Sequence, residues 1–167
     1  MGASWQRFSV EIPKTIKKTS DKLALGEEII EHIRKRTESG KNNRGSSFPS
    51  YSKDYMKSLD FKISGKSSKV NLTQTGDMLA DIEVLSIRGD KILIGFENGS
   101  ESNDKADGHI TGWQGRSKTK RPFLGFEGKE VKNLESIIKK HEKSAVGERD
   151  ESLKYFAWLS ARKKSKK

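Results

Sequence analysis

Residues 81–96, DIEVLSIRGDKILIGF, contain two apolar segments joined by the dipeptide Gly89-Asp90. Branched apolar residues alternate along both segments, and glycine at the first of two central positions is typical of a type II′ β-hairpin. That register predicts two cross-strand pairs on one face, Ile87 with Ile92 and Leu85 with Ile94. The other face carries Ile82, Val84 and Leu93, so we expect both faces of the sheet to be partly covered.

Helical patterns lie on either side of this hairpin. Upstream, apolar residues recur every four positions and predict an amphipathic helix from Ser20-Asp21 to about Arg36, ended by Gly40. The stripe consists of Leu25, Ile29 and Ile33. Downstream, we predict a helix over 129–143, a break at Gly147 and a last helix that carries Leu153, Phe156, Trp158 and Leu159. A short strand or extended arm around Val10 ends at Pro13.

These elements predict an α+β fold, with a small, mainly antiparallel sheet flanked by helices, long polar loops and a C-terminal helical extension. We expect one domain over residues 1–147, including an N-terminal arm, followed by an aromatic helix and basic tail over 148–167. Residues 41–70 form a long, basic and irregular connection in which only SKDYMKSLDF has helical character. Residues 98–120 are predicted to be a polar loop with a turn at KADGHI.

The composition limits the classes of function. Of the 167 residues 31% are apolar and 34% are charged, and the net charge of +11 favours anionic partners. There is no cysteine, which excludes disulfides and thiolate metal sites. We expect no signal peptide, because the N-terminal residues lack a continuous apolar segment. No stretch has the length of a membrane span, so we expect a protein made in the cytoplasm.

Few residues suggest catalysis or metal binding. No phosphate-binding loop, dinucleotide-binding glycine pattern or nucleophile elbow is present. The three histidines, His32, His109 and His141, are far apart in the chain. His109 has Asp104 and Asp107 nearby, and this is the one candidate for an enzyme or metal cluster, but its spacing lacks the regularity of metal ligands. We therefore expect no enzyme, no cofactor and no metal.

Nucleic-acid binding is a stronger alternative. The loop 41–69 holds four aromatic residues among its lysines, and aromatic stacking beside phosphate contacts is how single strands are bound. These residues are Phe48, Tyr51, Tyr55 and Phe61. The candidates for facing DNA are Lys53, Lys57, Arg162, Lys163 and Lys164. A solvated basic surface without a nucleic-acid partner explains the same composition.

Three short motifs occur in a characteristic order. Thr75-Gly76-Asp77-Met78-Leu79 precedes the hairpin, Ala106, His109 and Gly112 have the spacing A-x-x-H-x-x-G, and residues 121–125 are RPFLG. In this order the motifs resemble those of the tail-completion, or head–tail joining, proteins of long-tailed bacteriophages, including the Mu-type virion-morphogenesis family. The resemblance covers about residues 20–145.

The resemblance implies a structural virion protein with a small α+β fold, made in the cytoplasm of the bacterial host. Such proteins assemble as rings, usually hexamers, at the head–tail junction. The implied partners are other copies of the chain, the head connector or head-completion protein, the tail tube or tail terminator protein, and phage DNA in the lumen; no membrane is involved. The motif residues are Thr75, Gly76, Leu79, Ala106, His109, Gly112, Leu124 and Gly125. The candidate interface residues are Arg116, Lys118, Lys120, Arg121, Phe123 and Trp158.

The segment KTKRPFLGF, residues 118–126, has a physical interpretation of its own. Pro122 favours an extended backbone before it, and Gly125 allows an unusual dihedral or a close approach. Phe123 and Leu124 are then able to anchor the loop 98–120 to the sheet. For Phe123 a plain core anchor is a good interpretation, whereas Arg121 is the first choice for a contact with a neighbouring subunit.

Overall fold

The computed structural model describes residues 6–65, 67–73, 77–113 and 118–164; the side chains at 149, 152, 153 and 155–164 are outside this description. The described ranges contain six helices and one three-stranded antiparallel sheet in the order β1-β3-β2. The predicted α+β class is therefore confirmed. None of the helices in these ranges is long and apolar enough to cross a membrane.

Strands β2 (Glu83–Arg88) and β3 (Lys91–Gly95) form the predicted hairpin. Gly89 has φ +57°, as a two-residue turn with glycine at its first central position requires. Ile87 does pair with Ile92, but the predicted pair of Leu85 with Ile94 is wrong. The register shifts between Val84 and Ser86, so the extra residue of a β-bulge makes Val84 the partner of Ile94.

Strand β1 (Arg7–Glu11) pairs with β3 in antiparallel register, which confirms the strand predicted around Val10. The pairing makes β3 the central strand, and its side chains Ile92 and Ile94 have no exposed surface. Strand β1 thus joins residues near the start of the chain to the hairpin. Just before it, the Gln6 carbonyl accepts a backbone hydrogen bond of 3.1 Å from the Phe96 N–H.

Helix α1 (Thr19–Glu38) covers one face of this sheet through contacts with β2 and β3. Its predicted apolar stripe is confirmed, since Leu25, Ile29 and Ile33 are fully buried. It begins at Thr19, slightly before the predicted cap, and its N-cap is Lys18, which is extended and makes no side-chain capping bond. The predicted end is correct: Gly40 donates to the Thr37 carbonyl, and the next N–H donates to the Arg36 carbonyl, as in a Schellman motif.

Helices α2 (Lys53–Lys57) and α3 (Leu59–Ile63) account for the helical part of the predicted basic connection. Ser52 caps α2 by accepting from the Tyr55 N–H, and Ser58 separates the two helices and caps α3 by accepting from the Phe61 N–H. No residue of either helix is buried. We refer to residues 50–65 as the arm, because little of this segment contributes to the core.

Helices α4 (Asp77–Ala80) and α5 (Glu101–Thr111) pack against each other. The predicted polar loop with a turn at KADGHI is wrong, since these residues belong to α5. The sequence has no apolar period there because the buried face of α5 is made of small and polar residues, namely Ser102, Asn103, Ala106 and Gly108. Ser100 caps its start by accepting from the Asn103 N–H, and the left-handed Gly112 ends it.

Helix α6 (Glu130–Lys164) is continuous, so the predicted break at Gly147 is wrong. Glycine in an exposed helix interior costs only about 1 kcal/mol relative to alanine, which the flanking helix formers outweigh. The helix is 35 residues long, or about 52 Å at 1.5 Å per residue. It runs antiparallel to α1, with contacts from Arg36–Glu130 to Lys18–Glu148, and the expected boundary between residues 147 and 148 falls inside it.

Candidate functional site

The candidate site is the segment RPFLGF, residues 121–126, with the residues that hold it; we call this region the joint. Phe123 has no exposed surface, and its ring lies 6.2 Å from that of Phe96 in an edge-to-face arrangement. Leu124 is half-buried against the same core. Gly125 has φ +82°, the left-handed conformation that favours glycine. Phe123 is thus a core anchor, and it packs on Phe96, which directly follows β3. The segment 98–120, which Phe123 and Leu124 were predicted to anchor as a loop, contains helix α5 instead.

Arg36, in the last turn of α1, binds the backbone of the joint through its guanidinium group. Arg36 is 5% exposed, and its Nη2 donates to the carbonyl oxygens of Phe123 and Gly125, the latter at 2.9 Å. The guanidinium carbon lies 5.1 Å from the ring centre of Phe126. Burial lowers the pKa of Arg36, and the charge of Glu130 opposes that shift. Arg36 therefore links the end of α1 to two backbone groups of the joint.

Glu130, in the first turn of α6, is the counter-ion of Arg36. Its Oε2 lies 3.4 Å from Arg36 Nη1 and 2.8 Å from His32 Nε2. The His32 ring stacks on Phe126 at 5.7 Å. Burial raises the pKa of Glu130, but hydrogen bonds with His32 and Asn133 and the charge of Arg36 outweigh it, so the pKa lies below its ordinary value of 4.5.

The lowered pKa of Glu130 predicts an acid-sensitive joint. A carboxylate whose pKa is lower in the folded state stabilises the fold above its ordinary pKa, and this stability is lost as the pH falls through the folded-state pKa. The free energy of unfolding should therefore decrease below about pH 4.5. In a Glu130→Gln variant the decrease should be shallower, and the two curves should converge at low pH.

Urea unfolding followed by circular dichroism from neutral pH to about pH 3 measures both curves. Glu31→Gln is the control, because Glu31 precedes His32 in α1 but forms only an exposed pair with Lys35. Parallel curves for the parent protein and Glu130→Gln would show that Glu130 does not contribute this pH dependence.

The beginning of the basic connection is attached to the joint by Asn43. Its N–H donates to the Pro122 carbonyl at 3.0 Å, and its own carbonyl accepts from the Glu127 N–H at 2.8 Å. Its amide also donates to Glu127 Oε1 at 3.1 Å, while Arg44 Nε donates to Oε2 at 2.7 Å. Sequence reasoning missed Asn43. The available signal was KNNRG, in which Asn42 Oδ1 accepts from two following N–H groups.

Arg121 connects the joint to α5 and to the arm. Its N–H donates to the His109 carbonyl at 2.6 Å, and its guanidinium donates to the carbonyls of Pro49 and Ser50 at 3.3 and 3.4 Å. The guanidinium carbon lies 5.5 Å from the Tyr51 ring centre. Arg121 is only 9% exposed, so within the subunit it positions the base of the arm. Its predicted contact with a neighbouring subunit stays a prediction.

The three sequence motifs lie close together in the fold. Leu79 is buried in α4, Ala106 is buried in α5, and His109 contacts the joint through its carbonyl. Gly112 is the left-handed C-cap of α5, with φ +74°. The A-x-x-H-x-x-G motif is thus a helix end and not a loop. Thr75 and Gly76 are outside the described residues.

Gly112 is also packed too closely for a side chain. A Cβ there would lie 2.8 Å from the Lys118 carbonyl oxygen, whereas at Gly99, with φ +75°, it would meet nothing within 4 Å. Gly99→Ala should therefore cost only the left-handed strain of about 1–2 kcal/mol. Gly112→Ala should cost about 2–4 kcal/mol, because overpacking adds to the same strain. Chemical denaturation of both variants measures the difference, and equal losses would show that the close approach to Lys118 is unimportant.

The remaining candidate residues fall into three groups. Lys118 and Lys120, and Lys53 and Lys57 of α2, are exposed, while Phe123 is buried and has no surface to offer a neighbouring subunit. Arg116 is outside the described residues. Helix α6 includes Trp158, Arg162, Lys163 and Lys164, whose side chains are outside the description.

The aromatic residues of the loop 41–69 do not form the free stacking surface expected from the sequence. Phe48 is buried in the core. Tyr51, Tyr55 and Phe61 pack on one another with ring centres 5.3 to 5.7 Å apart. Their faces are at least partly occupied by this cluster, which reduces the surface that a base could use.

The candidate acidic cluster belongs to α5. Asp107 accepts from the Gln6 side-chain amide at 2.7 Å, which links α5 to the start of β1. In the part of the chain that the structure describes, no group of three or more histidine and carboxylate side chains is arranged to hold a metal ion.

Comparison with known proteins identifies no matching family model, curated protein or solved structure.

Proposed function

We propose that this chain is a structural subunit of the head–tail junction of a long-tailed bacteriophage, which forms a ring that completes the tail and joins it to the head connector. The observation that carries the proposal is the convergence of the separated motifs. Helix α4 packs on α5, and the end of α5 bonds to Arg121 at 2.6 Å. The described motif residues between 77 and 125 thus contribute to one structural unit, as expected if the motifs share a structural role.

The chemistry of the joint also supports a mechanical role. Two side chains bind backbone groups of other segments: Arg36 donates to the carbonyls of Phe123 and Gly125, and Arg121 donates to those of Pro49 and Ser50. The backbone of Asn43 pairs with the backbone of Pro122 and Glu127. With the bond from the Arg121 N–H to the His109 carbonyl and the ion pair of Arg36 with Glu130, these contacts link α1, the arm, α5 and α6. A subunit that transmits contacts between a head and a tail needs such a rigid connection.

Surface composition is consistent with assembly around DNA. Exposed Lys53, Lys57, Lys118 and Lys120 add to a net charge of +11, which suits a lumen or an acidic partner ring. Leu59, Ile63 and Trp113 expose 69 to 83% of their surface, which is unusual for large apolar side chains and suits contacts with other subunits.

Deletion of the gene tests the proposal. In the phage that carries it, deletion should leave DNA-filled heads and separate tails, and the purified protein should restore joined particles in a lysate. Electron microscopy counts both kinds of particle. Normal virions after deletion, or failure of the protein to restore joining, would contradict the proposal. A gene position between head-connector and tail-tube genes is also expected.

The nucleic-acid-binding alternative has a different signature. It uses the exposed lysines of the loop 41–69 and the basic C-terminal residues. A protein making six to ten phosphate contacts should lose about 10³- to 10⁵-fold in affinity between 50 and 200 mM salt. Nanomolar binding of short DNA by the monomer, with this salt dependence, would favour the alternative over the ring.

A further inference from the structure

The charge of this chain is distributed unevenly. Residues 77–107 contain eight acidic and three basic residues, a net charge of −5 in a chain whose total is +11. The fold collects part of this charge on the exposed side of α4 and α5. Glu101 Oε1 lies 2.8 Å from Lys105 Nζ, and Asp81 Oδ2 accepts from Ser102 Oγ, which links the end of α4 to α5. Asp77, Asp81 and Glu101 are all exposed, and the hydrogen bond with Glu101 and the charges of Asp77 and Asp81 raise the pKa of Lys105. We call Asp77, Asp81 and Glu101 the acidic face.

The arm has complementary properties. Leu59 and Ile63 are 69% and 75% exposed, and they lie one turn apart on the same side of α3. Lys53, Lys57 and Lys62 are exposed, and within the described ranges none of the three forms an ion pair. An exposed apolar pair on the same short segment as exposed lysines that form no ion pair is typical of a protein-binding surface with a polar rim.

We propose that the arm of one subunit docks on the acidic face of a second copy of the chain. Leu59 and Ile63 supply the apolar centre of the contact, and the arm lysines face Asp77, Asp81 and Glu101. Charge complementarity selects this occupant. DNA is a poorer one, because Asp54 and Asp60 lie among the lysines and the apolar pair has no use for phosphate.

The geometry of such a contact is head-to-tail. The arm and the acidic face are different surfaces of one chain, so each copy offers one of each to its neighbours. Repetition of this heterologous contact closes into a ring or continues as a filament. The inference rests on the proposed function, since it names the interface by which the ring would close.

Three variants and one control test the interface by light scattering after size exclusion and by native mass spectrometry. The first is Leu59→Ser with Ile63→Ser, and the second reverses the arm with Lys53→Glu, Lys57→Glu and Lys62→Glu. The third reverses the acidic face with Asp77→Lys and Glu101→Lys. The control is Leu23→Ser, which changes an apolar residue of α1 that is 44% exposed. All of these positions are exposed, so thermal unfolding should confirm that every variant folds.

The parent protein and Leu23→Ser should self-associate, and each of the three variants should weaken association at least about tenfold. Mixing the arm-reversed and face-reversed variants should restore association, because every arm then finds an opposite charge on the other variant. Association that is unchanged in the variants, a parent protein that stays monomeric at its highest soluble concentration, or a mixture that fails to associate would overturn the proposal.

The same experiment separates this inference from the proposed function. Rings that form equally well in all variants would remove the arm interface and leave the head–tail role in place. Association that depends on the arm but never closes into a ring, together with normal virions after gene deletion, would retain the interface and remove the role. Loss of DNA binding with unchanged self-association would instead identify the arm as a nucleic-acid contact.

Discussion

Replacing Arg36 with methionine is expected to lower the free energy of unfolding by about 3 kcal/mol. The change removes the hydrogen bonds to the carbonyls of Phe123 and Gly125, and it leaves the carboxylate of Glu130 buried without its charged arginine partner. Removal of one partner of a buried ion pair is costly because the other charge stays desolvated. Arg36 Nε has no hydrogen-bond partner among the described residues, which limits the loss, since methionine also removes this donor. Urea unfolding measures the change.

The matched control is Lys35→Met, one residue earlier in the same helical turn. Lys35 pairs with Glu31, but both side chains are at least half exposed, so its loss should stay within about 0.5 kcal/mol. A double variant, Arg36→Met with Glu130→Leu, should recover part of the stability, because it removes both buried charges. If Arg36→Met were as stable as Lys35→Met, the joint would not depend on its buried arginine.

Truncating Phe123 to alanine should have an effect of similar size or larger, about 3–5 kcal/mol. Phe123 is fully buried against Phe96, so alanine would leave a cavity between the joint and the end of β3. The substitution should also destabilise the end of α5. Arg121 lies two residues before Phe123, and its N–H donates to the His109 carbonyl in α5. Chemical denaturation gives the global loss, and hydrogen exchange of the α5 amides reports the local one.

Leu59→Ala is the control for this truncation. It also removes a large apolar side chain, but at a position that is 69% exposed, so the monomer should lose less than about 0.5 kcal/mol. A loss below 1 kcal/mol for Phe123→Ala would mean that the surrounding segment collapses to fill the space, and that the joint is softer than its packing indicates.

The sheet and helix α1 were predictable because periodicity reports burial directly. Alternating apolar residues on both sides of Gly89 allow few structures other than a hairpin, and Leu25, Ile29 and Ile33 occupy one side of a helix. The bulge near Leu85 was not predictable, because an extra residue in a strand leaves the apolar pattern locally plausible in either register. Helix α5 was missed because its buried positions are small or polar, and periodicity of large apolar residues is absent.

The joint was only half predictable. The segment RPFLGF stands out as an apolar anchor, but nothing local shows that Arg36 and Glu130 are buried partners 94 residues apart. Each is a charged residue near a helix end, where exposure is the usual state. One signal was present: Arg36 follows Ile33 by three residues and so lies on the apolar stripe of α1. A charged side chain on a buried helix face is costly unless it is paired, so its position predicts a buried partner of opposite charge.

The antiparallel pairing of α1 and α6 determines how far the C-terminal end of α6 lies from the joint. A slip of α6 by one turn, about 5.4 Å, would carry Glu130 away from the buried guanidinium and break the pairs near Glu28 and Lys18 at the same time. These ion pairs therefore fix the register of α6 against α1, beginning at the pair of Arg36 with Glu130. Residues 149–164 of α6 continue for about 24 Å past Glu148, which pairs with Lys18 at the start of α1. The number of residues in α6 therefore determines the distance from the joint to the basic end of the helix.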